Sequence, residues 1–110
     1  MNKHRKVELS TIDIQKVIEV HSYLFPELLI ESFYSQDSWI SDIDFFTVGN
    51  KEIEYEILPW YYLCDVIILR ELSQKLGFYN LQELFFKYPQ PNMCDLVDFI
   101  YSLYLELKHI

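Results

Sequence analysis

The chain of 110 residues predicts a mainly α-helical protein, a compact bundle of about five helices that can carry one β-hairpin around residues 43–57. Two observations favour helices: apolar residues recur at helical spacing, and helix-capping or helix-breaking residues separate the recurring stretches. A third observation, a short alternation of apolar and acidic residues, favours the hairpin. The length fits a single globular domain over residues 1–110, in which residues 1–9 form a flexible arm.

The first helix is predicted to begin after Ser10 or Thr11 and to end at Phe25. Either hydroxyl can accept from a backbone N–H of the first turn, and Asp13 suits the positive end of the helix dipole. Pro26 stops the helix because it lacks a backbone N–H. Pro26 is also favourable at the start of a helix, so a second short helix is predicted after it. The apolar stripe of that second helix would be Leu28, Leu29, Ile30 and Phe33.

The hairpin is predicted to pair residues 45–48 with residues 53–57. A polar break over residues 35–38 precedes it, and Gly49, Asn50 and Lys51 form a turn signal between the two strands. The second strand alternates Ile53, Tyr55 and Ile57 with Glu52, Glu54 and Glu56. This period of two predicts that Ile43, Phe45 and the isoleucines hold the hairpin against the helices, with the glutamates in solvent. A helix over residues 41–47 is the alternative.

The longest helix is predicted to run from Pro59 to a C-terminal cap at Gly77. Its apolar residues point in most directions around the axis, so we expect it to be central and largely buried. Asp65 interrupts the apolar run. A buried carboxylate there would accept from a tyrosine hydroxyl or a backbone N–H, and the alternative is a carboxylate at an interface.

Two further helices are predicted near the C-terminus. Asn80 can cap a helix that ends before Pro89, and Asn92 can cap the last helix with Asp95 in its first turn. The core stripe of the last helix is predicted to be Leu96, Phe99, Ile100, Leu103 and Leu107. Tyr101 and Tyr104 flank that stripe, so they lie either at the edge of the core or at an interface through which a regulatory subunit could self-associate.

The sequence offers no constellation typical of a catalytic, cofactor or metal site. Only two glycines are present, Gly49 and Gly77, whereas phosphate-binding loops use clustered glycines. His21 lies on the apolar stripe of the first helix and is predicted to be a hydrogen-bonded core residue. Cys64 and Cys94 are expected to be buried reduced thiols, and zinc needs more ligands than they supply. We therefore expect no enzyme activity, no cofactor and no metal.

One metal-dependent alternative remains open. Asp42 and Asp44 would project from the same face of a strand and could hold a divalent cation. With Glu54 or Glu56 as a third carboxylate, this pair resembles the metal site of nucleotidyltransferases over four residues. The resemblance lacks that family's Gly-Ser element, and no basic residues lie nearby to bind a triphosphate.

The charge distribution indicates a basic partner. The chain has 17 acidic and 9 basic residues, and three of the bases fall within the first six residues. Nucleic acids and anionic membranes both attract basic surfaces, so the charge argues against either as a partner. A basic protein, electrostatically steered, is the natural complement. No apolar segment reaches the length of a membrane span and no signal peptide is recognised, so we expect a cytoplasmic protein, with a monomer favoured.

The strongest candidate for a binding surface is the acidic and aromatic stretch that starts near Glu31 and ends at Tyr62. It holds seven acids and one base. Carboxylates beside large aromatic rings fit a surface that a cationic partner covers. The partner-binding residues are predicted to be Asp37, Trp39, Asp42, Asp44, Glu52, Glu54, Tyr55 and Glu56.

The acidic and aromatic segment from Asp37 to Tyr62, together with the compact helical remainder, resembles small acidic bacterial immunity proteins of the contact-dependent growth-inhibition or colicin type. The resemblance is one of class, and no family site is carried over to this chain. It implies an antitoxin-like inhibitor that covers the substrate-binding surface of a basic nuclease toxin. Phage nucleic-acid mimics, including anti-CRISPR proteins, use the same electrostatics and are the main alternative.

Overall fold

The computed structural model describes residues 9–34 and 44–110 of the chain. Within these ranges it contains four helices and one three-stranded antiparallel sheet. The helices are α1 (Thr11–Leu24), α2 (residues 60–75), α3 (Leu81–Lys87) and α4 (Leu96–Lys108). The strands are β1 (Leu29–Tyr34), β2 (Asp44–Gly49) and β3 (Glu56–Pro59). The mainly helical class is confirmed, with one helix fewer and one strand more than expected.

Helix α1 begins and ends where the sequence predicts. The Ser10 hydroxyl accepts from the Asp13 backbone N–H at 3.1 Å, and the Ser10 N–H donates to the Asp13 carboxylate at 3.4 Å, which completes a capping box. At the other end the Phe25 N–H donates to the His21 carbonyl at 2.8 Å, and Pro26 stops the ladder there. Leu9, expected in a flexible arm, is instead buried in the core.

The predicted second helix after Pro26 is wrong, because Leu29–Tyr34 forms strand β1. The stretch contains Ile30 and Phe33, residues that suit a pleated strand at least as well as a helix. Its pairing partner, β2, lies beyond residue 43 in the chain. A local sequence pattern cannot reveal that pairing, which satisfies the backbone groups of β1 without a helix.

The sheet has strand order β1-β2-β3. Register places Ile30 opposite Val48, Ser32 opposite Phe46, and Phe46 opposite Leu58. Because side chains alternate across a strand, these residues share one face, here called the inner face. Phe46 is fully buried, and Ile30, Val48 and Leu58 pack against the core. The inner face therefore holds the sheet against the helices.

Helix α2 is continuous but changes type along its length. A short α-helical start, Trp60–Tyr62, leads into a π-helical segment, Leu63–Ile68, and then into an α-helix, Leu69–Lys75. The Leu69 N–H donates to the Cys64 carbonyl, five residues earlier, as expected for a π-helix. Gly77 ends the helix at φ 93°, which confirms the predicted cap.

The expectation that α2 is buried on most sides is wrong. Trp60, Leu63, Cys64 and Ile68 are buried, whereas Tyr61, Tyr62, Asp65 and Val66 are exposed on the opposite side. Asp65 therefore keeps its hydration and needs no buried partner.

The remaining helices follow the predicted caps in part. Asn80 accepts from the Glu83 N–H at 3.0 Å through its side chain, as expected for an N-cap. Asn92 makes no such side-chain bond. Instead a 3-10 turn, Met93–Asp95, precedes α4.

One hydrophobic core joins the four described helices and the inner sheet face. Its largest fully buried side chains include Trp60, Phe46 and Leu63. Cys64 belongs to this core, and burial raises the pKa of its thiol far above the usual range. Cys94 is exposed, contrary to expectation, and neither cysteine is in a disulfide. Among the described helices, none is long and apolar enough to cross a membrane.

Candidate protein-binding surface

The sheet has an outer face that is apolar and exposed. Register aligns Phe33 with Phe45 and Pro59, Glu31 with Thr47 and Ile57, and Leu29 with Gly49. Leu29 is 63% exposed and Ile57 62% exposed, and the rings of Phe33 and Phe45 stack with centroids 5.9 Å apart. Apolar side chains that share one exposed face are typical of a surface that a partner covers.

This arrangement reverses the predicted orientation of the hairpin. Ile57 was expected to face the helices and the glutamates to face solvent, but Ile57 points outward and Glu56 shares the inner side with Leu58. Leu58 lies one residue before Pro59 and two before the buried Trp60, so entry into α2 fixes which side of β3 faces the core. A one-residue shift in strand phase inverts both faces. Ile53 and Tyr55 are exposed and lie before β3 begins.

The acidic residues beside the sheet lie on a structured loop over residues 50–55. The Asn50 side-chain oxygen accepts from the backbone N–H groups of Glu52 at 2.8 Å and Ile53 at 2.7 Å. The Asn50 amide nitrogen donates to the Glu27 carbonyl at 3.2 Å, which ties the loop to the connection between α1 and β1. The predicted turn at residues 49–51 is confirmed, and asparagine stabilises it by mimicking a backbone turn.

Tyr55 folds back onto the sheet at Gly49. A Cβ atom added at Gly49 would lie 2.8 Å from both the Cα and the Cδ1 atoms of Tyr55. Glycine is therefore required there so that the tyrosine can approach the strand. The side chain of Tyr55 stays half exposed, beside Leu29 and Thr47 of the outer face. This places an aromatic ring between the acidic loop and the apolar face.

The predicted partner-binding residues fall into three groups. Asp37, Trp39 and Asp42 lie outside the described residues. Asp44 is buried, at 2% exposure, so it does not present its carboxylate at the surface as expected. The other four are exposed on the loop or at the start of β3: Glu52, Glu54, Tyr55 and Glu56.

The register argues against the carboxylate cluster of the metal-dependent alternative. Glu56 pairs with Val48, whereas Asp44 lies at the opposite end of β2. Glu54 belongs to the loop and is not in β3. Among the described residues, no group of three or more histidine, cysteine, aspartate or glutamate side chains is placed to hold a metal ion.

A pocket of about 160 Å³ opens between α1, α2 and the loop. Its walls include Phe25, Val48, Leu58 and Ile67, and its polar lining includes Glu54, Glu56 and His21. His21 is 1% exposed, and neither ring nitrogen has a hydrogen-bond partner among the described residues, contrary to expectation. Burial lowers the pKa of His21 to about 4, an effect that the Glu27 carboxylate opposes. The imidazole is therefore neutral at pH 7.

Tyr101 and Tyr104 make contacts within the chain. The Tyr104 hydroxyl donates to the Glu19 carboxylate at 2.8 Å, and the Tyr101 hydroxyl donates to the same group at 3.3 Å. Burial, and then the Glu19 contact, raise the pKa of Tyr104. The Lys16 ammonium donates to Asp98 at 3.0 Å and lies over the Tyr101 ring. These contacts join α1 to α4. They leave less exposed tyrosine surface through which the protein could self-associate.

Sequence reasoning missed the residues that make the outer face apolar. Leu29 and Phe33 were assigned to a helix stripe, and Ile57 to the buried side of a strand. The alternation over residues 52–57 predicts a strand at 53–57, but only residues 56 and 57 lie in β3, and nothing local identified the exposed side. Tyr79 and Phe86 are also surface aromatic residues, at 86% and 94% exposure.

Comparison of the chain with protein-family models, with curated proteins and with solved structures finds no match in any of the three. The surface described above therefore has to be interpreted from its own geometry and charge.

Proposed function

We propose that this protein is a non-catalytic binding protein of the immunity or antitoxin type, which neutralises a basic toxin domain. The observation that carries the proposal is the position of the acidic loop at the margin of the exposed apolar sheet face. Apolar area supplies affinity when a partner covers it, and the carboxylates select a partner of positive charge. A nuclease is a fitting target because its substrate-binding surface is basic.

The charge of the loop supports the same proposal. Glu52, Glu54 and Glu56 are all exposed, and Lys51 is the single base over residues 50–56. Exposed carboxylates at the margin of an interface mainly accelerate encounter with an oppositely charged partner. The apolar face, with Tyr55 at its border, would then be the buried centre of the complex. We place such an inhibitor in the cytoplasm and expect it to act as a monomer.

The test uses a basic nuclease toxin domain as the candidate partner, with association measured by stopped-flow fluorescence. Neutralising the loop with Glu52→Gln, Glu54→Gln and Glu56→Gln together should lower the association rate about tenfold at low salt, and less at high salt. Glu106→Gln on α4, also exposed, is the matched control and should leave the rate unchanged. Association that is insensitive to both salt and loop charge would refute electrostatic docking at this surface.

A second pair of variants tests the sheet face. Phe33→Thr and Ile57→Thr place a β-branched strand former at each position while removing apolar area. We expect faster dissociation from both variants. Ile57→Thr should change folding stability little, because the Ile57 side chain is 62% exposed, whereas Phe33→Thr also loses the stacking on Phe45 and should be somewhat destabilised. An unchanged dissociation rate would show that the outer sheet face is not part of the interface. Inhibition of a nucleic-acid-binding complex by the same surface would favour the nucleic-acid-mimic alternative.

A further inference from the structure

We propose that the His21 pocket is a specific binding site for an arginine side chain of the basic partner. This inference deepens the proposed function and rests on it for the source of the arginine. The site itself can be tested without the partner.

The pocket has the size and lining for such a side chain. Its volume is about 160 Å³, and apolar cavities of roughly 150 Å³ accept a benzene-sized guest. Phe25, Val48, Leu58 and Ile67 form walls against which the methylene groups of an arginine can lie. Long cationic side chains commonly bury their stems in this way and keep the charged end near polar groups.

The charge around the pocket fits a cation. Glu54 and Glu56 line it, and both are exposed, so they stand at its solvent side. Glu27 is close enough to influence His21 electrostatically. Among the described residues that line the pocket, none is a lysine or an arginine. An entering cation therefore meets carboxylates without a competing base.

The buried imidazole is the second, independent feature. A neutral imidazole offers one acceptor nitrogen, and leaving a buried polar group without a hydrogen bond is unfavourable. Both His21 nitrogens are closed to solvent and without a partner in the described part of the chain. His21 is one of the residues that line the pocket, and the broad terminal torsion of its ring allows a nitrogen to turn toward a guanidinium N–H bound there.

Guanidinium fits this combination better than ammonium. It has several N–H donors in a plane, so it can bond to a carboxylate and to an imidazole at once. It is also more weakly hydrated than ammonium and stacks on aromatic faces, and Phe25 supplies such a face 5.0 Å from the His21 ring centroid.

The test is an NMR titration of the intact protein with N-acetyl-L-arginine methylamide. We expect saturable shifts of the Val48, Leu58 and Ile67 methyl signals and of the His21 ring, with a Kd on the order of millimolar, as befits one side chain. N-acetyl-L-citrulline methylamide has nearly the same shape without the charge and should bind about tenfold more weakly. Equal binding of these two compounds, or tighter binding of N-acetyl-L-lysine methylamide in the same titration, would overturn the proposal.

Two variants localise the effect. Glu54→Gln with Glu56→Gln should weaken arginine binding about tenfold, whereas Glu52→Gln, which lies outside the pocket lining, should not. Ile67→Phe should fill the pocket and abolish the shifts. If that variant fails to fold, the glutamine variants still show whether arginine binds in this pocket. Shifts outside the pocket, or a pocket that holds water only and gives no shift, would overturn the site.

The outcomes separate this inference from the proposed function. Arginine binding without toxin binding would support the arginine site and refute the proposed toxin-binding function. Toxin binding to the sheet face, with no arginine shifts in the pocket, would keep the function and remove the site.

Discussion

Asn50 and Glu27 are joined across 23 residues of sequence: the Asn50 side-chain amide donates to the Glu27 carbonyl at 3.2 Å. The same side chain accepts from two backbone N–H groups of its own loop, at Glu52 and Ile53. One residue therefore shapes the acidic loop and fixes it beside α1. The link therefore ties the loop that carries Glu54, a residue of the pocket lining, to Glu27, whose carboxylate acts on His21.

Asn50→Ala should loosen the loop. It removes three hydrogen bonds on a half-buried residue, so we expect a loss of about 1–2 kcal/mol in the free energy of unfolding measured in urea. Amide hydrogen exchange at Glu52 and Ile53 should accelerate. Asn50→Asp is the comparison, because it keeps the acceptor oxygen for Glu52 and Ile53, loses the donor to Glu27 and adds one negative charge. Unchanged exchange in the alanine variant would contradict the role assigned to Asn50.

Gly49→Ala should destabilise the fold at the edge of the outer face. The new methyl group would lie 2.8 Å from the Tyr55 Cα, and a backbone atom cannot move aside as a flexible side-chain end can. We expect a loss of about 1–3 kcal/mol, as for an overpacked site. Gly49→Ala combined with Tyr55→Gly separates the two contacts: the clash with the ring disappears and the clash with the Tyr55 Cα remains, so we expect only partial recovery of stability. If the single variant unfolds at the same urea concentration as the parent, the close approach is not present in solution.

The stability of the protein should fall as pH drops from 6.5 to 4. In that window the unfolded chain protonates His21, but the folded chain does not, because its His21 pKa is about 4. The unfolded state therefore binds more protons in this window. The contribution of His21 to the free energy of unfolding is fully present above pH 6.5 and is lost by pH 4. A difference of about 2.5 pKa units corresponds to about 3 kcal/mol.

The measurement is the urea-unfolding free energy of the parent and of His21→Leu across this range. The leucine variant retains the carboxylates of the parent, so subtracting the two curves isolates His21. We expect His21→Leu to become more stable relative to the parent as the pH falls from 6.5 to 4. His109→Gln, at an exposed position, is the control and should track the parent. A pH-independent difference for His21→Leu would mean that the imidazole titrates normally in the folded protein.

Tyr104→Phe should weaken the contact between α1 and α4. It removes the 2.8 Å hydrogen bond to Glu19 and leaves that carboxylate with the longer bonds from Tyr101. Hydrogen bonds to charged groups contribute about 1.5–3 kcal/mol, and partial exposure of Glu19 reduces this, so we expect a loss of about 1–2 kcal/mol in thermal or urea unfolding. Tyr79→Phe, at a ring that is 86% exposed, should change nothing. Equal stability of both variants would show that the Glu19 bond is not formed.

Helix ends were the part of the fold that the sequence predicted best. The caps at Ser10 and Asn80 and the stops at Pro26 and Gly77 all hold, because each depends on hydrogen bonds or backbone geometry within a few residues. The acidic turn at Asn50 was predictable for the same reason. These signals are local, so the chain alone contains them.

Residues 29–34 show where local reasoning fails. Their apolar content suits a helix or a strand, and the choice depended on pairing with β2, whose paired residues lie 10 to 20 positions further along the chain. The same holds for Asp65, which was expected inside the core and lies outside it because α2 exposes one side. Cys94 was expected to be buried and is exposed, since the turn before α4 stands away from the core.

By itself, then, the sequence determined the helical class, most of the helix ends and a loop rich in carboxylates, since each arises from neighbours in the chain. Only the tertiary structure decided which side of the sheet faces solvent. Period-two alternation fixes that β3 has two faces, but packing of Leu58 and Trp60 into the core fixes which is which. That choice turned Ile57 outward and placed Glu56 beside His21, which created both the apolar face and the acidic mouth of the pocket.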